Sequence, residues 1–327
     1  MPTFKTAESV SPGHPDKICD QISDAILDAH LREDPDARVA VDVAGGHGVV
    51  FVTGEVTSKA LRVDVPAIVR RLVGDVKVVE AISTQSPEIA QGVDTGGAGD
   101  QGIMVGYATS ETPEFLPLEV VLSRSLNQYL YERWPYDGKT QVTTANGLIH
   151  TIVASFQNAP TEELRAAVKE WKNQQRWAAS YARETIYHIN PAGDWQVGGF
   201  DADAGLTGRK LVVDNYGPSI PLGGGAFSGK DASKVDRSAA YMARKIAVDY
   251  VQRFQAKEVH VTLAYAIGYD QPVQAQVVVD GVERRVEGYD LSPNGIIATL
   301  DLKRPCFEET ARYGHFADAT FTWNQPA

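Results

Sequence analysis

The sequence predicts an α+β protein of three similar modules, each a sheet covered by helices on one side. Three observations predict it. The order long helix, two strands, short helix recurs three times along the 327 residues, with starts roughly 100 to 120 residues apart, the size of a domain. A further strand candidate precedes each long helix, at residues 3–7, 102–108 and 210–214. Glycine-rich segments at 92–102 and 198–208 fall between the units, where loops that share a site would lie.

Each element follows from its pattern. From Pro15, Ile18, Ile22 and Ile26 with Ala25 and Ala29 make one apolar helical face. Asp16 sits in the first turn, where the helix dipole favours a negative group. Strand-like runs at 38–43 and 48–56 follow, then a helix over 65–73. The second unit opens at Leu116, with Val120, Leu122, Leu126 and Leu130 on one helical face. Runs 139–145 and 148–156 flank Asn146-Gly147, the strongest short hairpin signal available, and residues 162–171 read as a helix. In the third unit Ala239, Met242, Ile246 and Tyr250 line a helix, residues 258–268 and 273–279 alternate as strands, and 293–300 form a last short helix.

Composition narrows the function. Hydrophobic residues make up 43% of the chain and charged ones 22%, which is ordinary for a globular protein. No apolar leader core opens the chain and no run approaches the ~18 apolar residues that would span a bilayer, so a soluble cytoplasmic protein is expected. The two cysteines, Cys19 and Cys306, lie far apart and suggest neither a disulfide framework nor a zinc site. A formal charge of −11 argues against general nucleic-acid binding. An anionic small molecule remains compatible, because Arg209, Lys210, Lys230, Lys234 and Arg237 gather in one short span.

That span contains the segment GGGAFSGKD at 223–231, followed by SKVDRS. Three glycines in a row let backbone N–H groups close on a bulky anion, and the lysines behind them neutralise it. Residues 224–230 fit the spacing Gly-x-x-x-x-Gly-Lys, yet Asp231 stands where a Walker loop needs Ser or Thr for magnesium. A strand read at 211–214 is separated from the glycines by Pro218 and Pro221, which also argues against a P-loop. A glycine-rich surface loop is the plain alternative.

Further blocks are GHPDK at 13–17, GEVT at 54–57, QSPEIAQGVD at 85–94, GAGDQG at 97–102, YDGK at 136–139 and DADAGLTGRK at 201–210. These motifs in this order resemble the S-adenosylmethionine synthetase (methionine adenosyltransferase) family over essentially the whole chain. The resemblance implies that the methionine sulfur attacks the 5′ carbon of ATP and expels triphosphate, which is then hydrolysed to pyrophosphate and phosphate. Sulfonium forms without losing a proton, so catalysis should rest on positioning and on stabilising charge at the leaving oxygen.

By resemblance, His14 contacts ATP near the bond being broken, and Asp16 and Asp236 hold two Mg2+ ions whose shells waters and phosphate oxygens complete. Lys139, Arg209, Lys210 and Lys230 grip the triphosphate, with Arg209 offering a bidentate fork. His14, Lys139, Arg209 and Lys230 are thus the expected catalytic set. Asp137, Asp194, Trp195 and Ala226 are expected beside ATP, the tryptophan stacking on adenine. Glu55, Gln85, Asp100 and Lys234 match methionine contacts, and Asp203 reaches both substrates. A solvated charge or a turn aspartate is the plain alternative for any one of these.

The chain also departs from the family pattern. Asp194-Trp195 replaces Arg-Phe, which removes a cation and adds a negative charge. Asp42 stands where a Glu helps bind K+, and its shorter side chain weakens that expectation. Gly138 replaces Ala, and Leu222 replaces the His before the glycines. Shorter segments before Gln85, between Asp94 and Gly97 and over 281–293 imply a trimmed lid around 85–97. The family fold implies three interlaced modules about a pseudo-threefold axis: 1–11 with 110–197, 12–91 with 198–237, and 92–109 with 238–327. It also implies at least a homodimer, with His14, Asp16 and the glycine stretch facing the partner's Glu55 and the partner's Asp100. A kinase or ATPase, or a non-catalytic nucleotide-binding subunit, are the rival readings.

Overall fold

Glycine and asparagine punctuation closes the hairpins of this chain where the sequence expects it. The computed structural model describes residues 2–85, 96–175, 184–316 and 318–326. Strand β2 (Arg38–Gly46) turns into β3 (Val49–Thr57) through His47-Gly48, and β6 (Gly138–Ala145) into β7 (Leu148–Phe156) through Asn146-Gly147. All four turn residues have positive φ, the backbone of a two-residue hairpin loop matched to strand twist.

Three four-stranded sheets result. The first is β4 (Lys77–Ser83), β3, β2 and β9 (Gly205–Leu206), and the second is β1 (Phe4–Val10), β6, β7 and β8 (Ile186–Ile189). The third is β12 (Val282–Arg285), β11 (Gln274–Val279), β10 (Glu258–Tyr265) and β5 (Gly102–Thr109). Each sheet borrows a strand. The strand that precedes a unit's long helix pairs with the hairpin of another unit: β1 with β6, β5 with β10, and β9 with β2. Such pairings of high sequence separation tie the units together.

Each sheet carries a helix on one face. Helix α1 (Pro15–Glu33) packs on β2 and β9, α3 (Leu118–Tyr131) on β1 and β6, and α5 (Val235–Phe254) on β5 and β10. Between them in sequence lie α2 (Val65–Val73) and α4 (Thr161–Gln174), with α6 (Pro293–Leu300) and α7 (Phe307–Tyr313) near the end. The predicted apolar faces are the buried ones: Ile22, Ile26, Leu122, Leu126, Ala239, Met242 and Ile246 are fully enclosed. Burying each of these Ile, Leu and Met side chains stabilises by about 1.5–3 kcal/mol. The first and third units share one apolar core, and the second has its own around Leu126, Ile152 and Trp171.

One predicted strand is corrected. Residues Leu211–Asp214 form a single helical turn, and the short strand that joins the first sheet is Gly205–Leu206 instead. Val212 and Val213 favour extended backbone, but the turn brings Asp214 onto the buried Lys17 ammonium at 2.6 Å, and that contact outweighs propensity. Strands β4, β8 and β12 and helix α7 were not expected from the pattern. The expected lid over 85–97 falls largely on residues 86–95, which lie outside the described residues. Among the described residues no helix is long and apolar enough to cross a membrane.

Candidate active site

Helix α1 begins at the site. His14 is its N-cap: the Nδ1 atom accepts the backbone N–H of Asp16 at 3.2 Å, and Pro15 supplies a first-turn residue with no N–H that would need an acceptor. Burial, followed by the charges of Lys210 and Lys139, pulls the imidazole down to about 3. The ring is therefore neutral with Nδ1 as acceptor, which leaves its proton on Nε2 as a donor.

Asp16 is buried beside it. Its carboxylate accepts the N–H of Leu206 at 3.0 Å, pairs with Lys210 and lies 3.4 Å from Arg209 Nε. Burial would raise its pKa, but the Lys210 and Leu206 hydrogen bonds outweigh that and hold it below the usual value. Asp203 is exposed nearby and acts electrostatically on His14. Asp137 accepts the Gly199 N–H at 3.1 Å, and burial raises its pKa. Lys139, next along β6, is exposed and close enough to act on His14.

Next to Asp16 on α1 the buried Lys17 bridges Asp20, one turn along, at 3.1 Å and Asp214 at 2.6 Å. Burial pushes both carboxylates upward in pKa, and the shared ammonium opposes it. The loop after β9 is fixed here too, since the Gly208 N–H donates to Asp20 at 2.8 Å.

The glycine-rich segment lies alongside. Its end runs antiparallel to β2: Val41 N–H donates to Gly229 O, and Asp231 N–H to Val39 O. Lys230 reaches Asp236 at 2.7 Å, and Lys234 pairs with Asp231. Gly225 packs so tightly on Asp236 that a Cβ there would stand 2.2 Å from the carboxylate carbon. The two loops touch, because a Cβ on Gly208 would meet Ala226 at 2.7 Å. Behind them Asp24 and Arg237, both fully enclosed, form a bidentate pair at 2.6 and 2.9 Å. Burial alone would lower the Arg237 pKa, yet Asp24 raises it above the ordinary value.

His14, Asp16, Lys139, Asp203, Arg209 and Lys210 thus share one neighbourhood, with Ala226, Lys230 and Asp236 adjoining it through the Gly208–Ala226 contact. Glu55 and Asp42 are instead exposed on the face of the first sheet opposite α1. Glu55 pairs across strands with Ala40, which bridges to Lys230. Asp100 is exposed in the loop before β5, and Gln85 has a buried amide oxygen with no hydrogen-bond partner among the described residues. Asp194 does something local. Its carboxylate accepts from Thr161 N and Oγ1 at the start of α4 and from Asn190 Nδ2, while Trp195 beside it packs near Gly198. Sequence reasoning missed Lys17, Asp20, Asp24 and Asp214, which hold the loops from behind. The repeated aspartate at four-residue spacing in α1 was the available signal, but it reads as a solvated face.

Three family models match consecutive stretches of the chain: the S-adenosylmethionine synthetase N-terminal domain over residues 2–94, its central domain over 95–195 and its C-terminal domain over 197–325. The chain belongs to the S-adenosylmethionine synthetase family. Like other members of that family, it is an S-adenosylmethionine-forming enzyme. S-Adenosylmethionine synthase of Treponema denticola is 43% identical over 98% of this chain and 95% of its own length. The synthases of Salinibacter ruber and Staphylococcus epidermidis are each 42% identical over 98% of this chain, and over 95% and 94% of their own lengths. The alignment with the first spans 372 positions against 327 residues here, so this chain is the shorter of the two. Family segments and sheets do not coincide, because each matched segment gives its first strand to the sheet of another.

The donor set fits a phosphate-bound magnesium better than a protein-caged one. Among the described residues no group of three or more His, Cys, Asp or Glu could hold a metal. Asp16 and Asp236 offer one hard carboxylate each, so an octahedral shell needs phosphate oxygens and water. Asp42, opposite Thr53 on an open sheet face, offers a single carboxylate and does not make a potassium site by itself.

Proposed function

We propose that the chain transfers the adenosyl group of ATP to the sulfur of L-methionine and then hydrolyses the released triphosphate to pyrophosphate and phosphate. The observation that carries the proposal is the gathering of Arg209, Lys210 and Lys230 on Asp16 and Asp236 beside a neutral, N-capping His14.

The sulfur lone pair forms the new bond to C5′ while the C5′–O bond breaks and its electron pair goes to the triphosphate oxygen. No base is required. The His14 Nε2–H is the donor for that oxygen, and Lys139, Arg209, Lys210 and Lys230 take the charge that develops over the phosphates. Mg2+, held by Asp16 and Asp236, would neutralise further phosphate charge when bound. The same carboxylates now pair with these cations, so bound substrate exchanges one set of ion pairs for another. Glu55, Gln85, Asp100, Asp203 and Lys234 are assigned to methionine, with Glu55 suited to its ammonium. Ala226, Asp137 and Trp195 are assigned to the nucleotide.

The working unit in this proposal is a homodimer whose His14–Asp16 region faces the partner's Glu55 and the partner's Asp100. Support comes from the open face of the first sheet, where Phe51, Ala44 and Leu206 stand in one cross-strand row and Val49, Phe51 and Leu206 are exposed. A second copy of the same chain is the occupant, because Asp42 and Glu55 share that face. Within one copy we read interlaced modules about a pseudo-threefold axis with the boundaries given above, supported by the hand-over of each unit's first strand. The compartment is taken as the cytoplasm, where Cys19 and Cys306, both free thiols, stay reduced.

Chromatography of a reaction with ATP, methionine and magnesium tests the chemistry. S-Adenosylmethionine, pyrophosphate and phosphate are expected; ADP as the nucleotide product would overturn it. In the same assay Lys230→Ala and His14→Asn should each lower kcat by about 10²–10³-fold, the scale for losing one donor at a developing negative charge.

A further inference from the structure

Four aspartates of α1, Asp16, Asp20, Asp24 and Asp28, recur at i, i+4 and so lie on one helical face. Every one of them is buried, against the usual expectation for an acidic stripe. Each takes a backbone N–H from outside the helix: Leu206 onto Asp16 at 3.0 Å, Gly208 onto Asp20 at 2.8 Å, Gly229 onto Asp24 at 2.8 Å, and Phe307 and Glu308 onto Asp28 at 3.0 Å. The two middle contacts are alike in detail. Both donors are glycines in the left-handed region, with φ of +77° and +82°, and each directly precedes a cation assigned to the phosphates, Arg209 in one loop and Lys230 in the other.

We infer that Asp20 and Asp24 are positioning residues that set the spacing of the two cation-bearing loops by holding the amides of Gly208 and Gly229 one helical turn apart. Residues four apart in α1 are about 6 Å apart along its axis, so the helix acts as a ruler for the loops. The carboxylates touch no substrate in this role. They are themselves held from behind, Asp20 by Lys17 and Asp24 by both guanidinium nitrogens of Arg237, which leaves their outward oxygens fixed toward the loops. Asp28 makes the same kind of bond but holds α7, away from the loops. The inference rests on the reading of the two loops as the triphosphate cradle.

The test uses full-length Asp20→Ala, Asp20→Asn and Asp28→Asn proteins, with inorganic tripolyphosphate plus Mg2+ as the binding probe and kcat and KM for ATP beside it. Asp20→Ala should weaken tripolyphosphate binding and lower kcat by about 10–100-fold, the cost of a small misplacement of charged groups. Asp20→Asn keeps an oxygen for the Gly208 N–H and should recover most of both. Asp28→Asn should lower Tm while leaving the tripolyphosphate Kd and the KM for ATP unchanged.

An Asp20→Ala protein that loses Tm yet binds tripolyphosphate within twofold of the parent would overturn the inference. Should that variant not fold, amide hydrogen exchange in the unaltered protein decides. Protection of Gly208 and Gly229 comparable to the α1 amides supports the ladder, and exchange as fast as in exposed loops overturns it. A parent enzyme that makes product but does not bind tripolyphosphate removes the cradle reading and the ladder with it. Binding that ignores Asp20→Ala removes the ladder alone.

Discussion

The buried face of α1 and the open face of the first sheet hold the two halves of the assigned site in opposite ways. On the helix side, Asp16, Asp20 and Asp24 are enclosed and each carboxylate has a backbone N–H and a cationic partner. On the sheet side, Asp42 and Glu55 are exposed among Val49, Phe51 and Leu206. On that assignment the phosphate half would be pre-built within one chain, with charge stabilisation that needs no reorganisation at the moment of reaction. The half that holds Glu55 is bare. Two hollows among the described residues, about 560 Å3 beside Gln128 and Tyr313 and about 650 Å3 beside Lys245 and Tyr289, touch none of these residues. A second copy seated on the open face would convert a bare half into a walled one.

Subunit mixing breaks this comparison most sharply. His14→Asn and Glu55→Ala proteins should each be nearly inactive alone. If each site takes the two residues from different copies, mixed dimers carry one intact site in two, and random reassortment should restore about a quarter of parental activity. Recovery measured after mild dissociation and remixing checks it. No recovery, with mixed dimers demonstrated, would mean that both residues serve the same copy's site.

The α1 ladder also has a pH signature away from the loops. Burial, opposed by the Glu308 and Phe307 amides, raises Asp28 to about 6, with Asp24, Arg237 and the Cys306 thiol as its charged and titratable neighbours. A raised carboxylate contributes stability that is fully present below the unfolded value near 4 and is lost as pH rises through about 6. The loss is on the order of 3 kcal/mol. Asp28→Asn should therefore be less stable than the parent at pH 4, and the gap should narrow by up to that amount by pH 7. Urea unfolding at several pH values measures it, and a constant gap would count against the raised pKa.

Much of the fold was legible because local signals agreed with the final packing. The Asn146-Gly147 turn, the start of α1 at Pro15 and the apolar faces of the three long helices all follow from short-range patterns. Strand partners were not legible, since β1 pairs with β6 across more than a hundred residues and nothing in residues 4–10 names that partner. Leu211–Asp214 misled because two valines signal a strand while a distant lysine decides the conformation. At the site, the residues of glycine motifs could be singled out by chemistry alone. The aspartates behind them could not, because an acidic stripe on a helix ordinarily faces water and only tertiary structure reveals that loops cover it.

The smallest effect concerns Asp194, a residue expected beside ATP that is engaged elsewhere. Helix α4 has Pro160 at its N-cap and no side-chain cap of its own, so the Asp194 carboxylate supplies the missing acceptor to Thr161 N at 3.1 Å. Hydrogen bonds from Thr161 and Asn190 hold its pKa below the usual value, so the contribution is present above the ordinary aspartate range and is lost on acidification. Asp194→Ala should lower Tm slightly at neutral pH, with the difference fading below about pH 4 as the parent loses its charge. The KM for ATP should stay within twofold of the parent. A several-fold rise in that KM with Tm unchanged would return Asp194 to the nucleotide, as a second carboxylate of this unit beside Asp137.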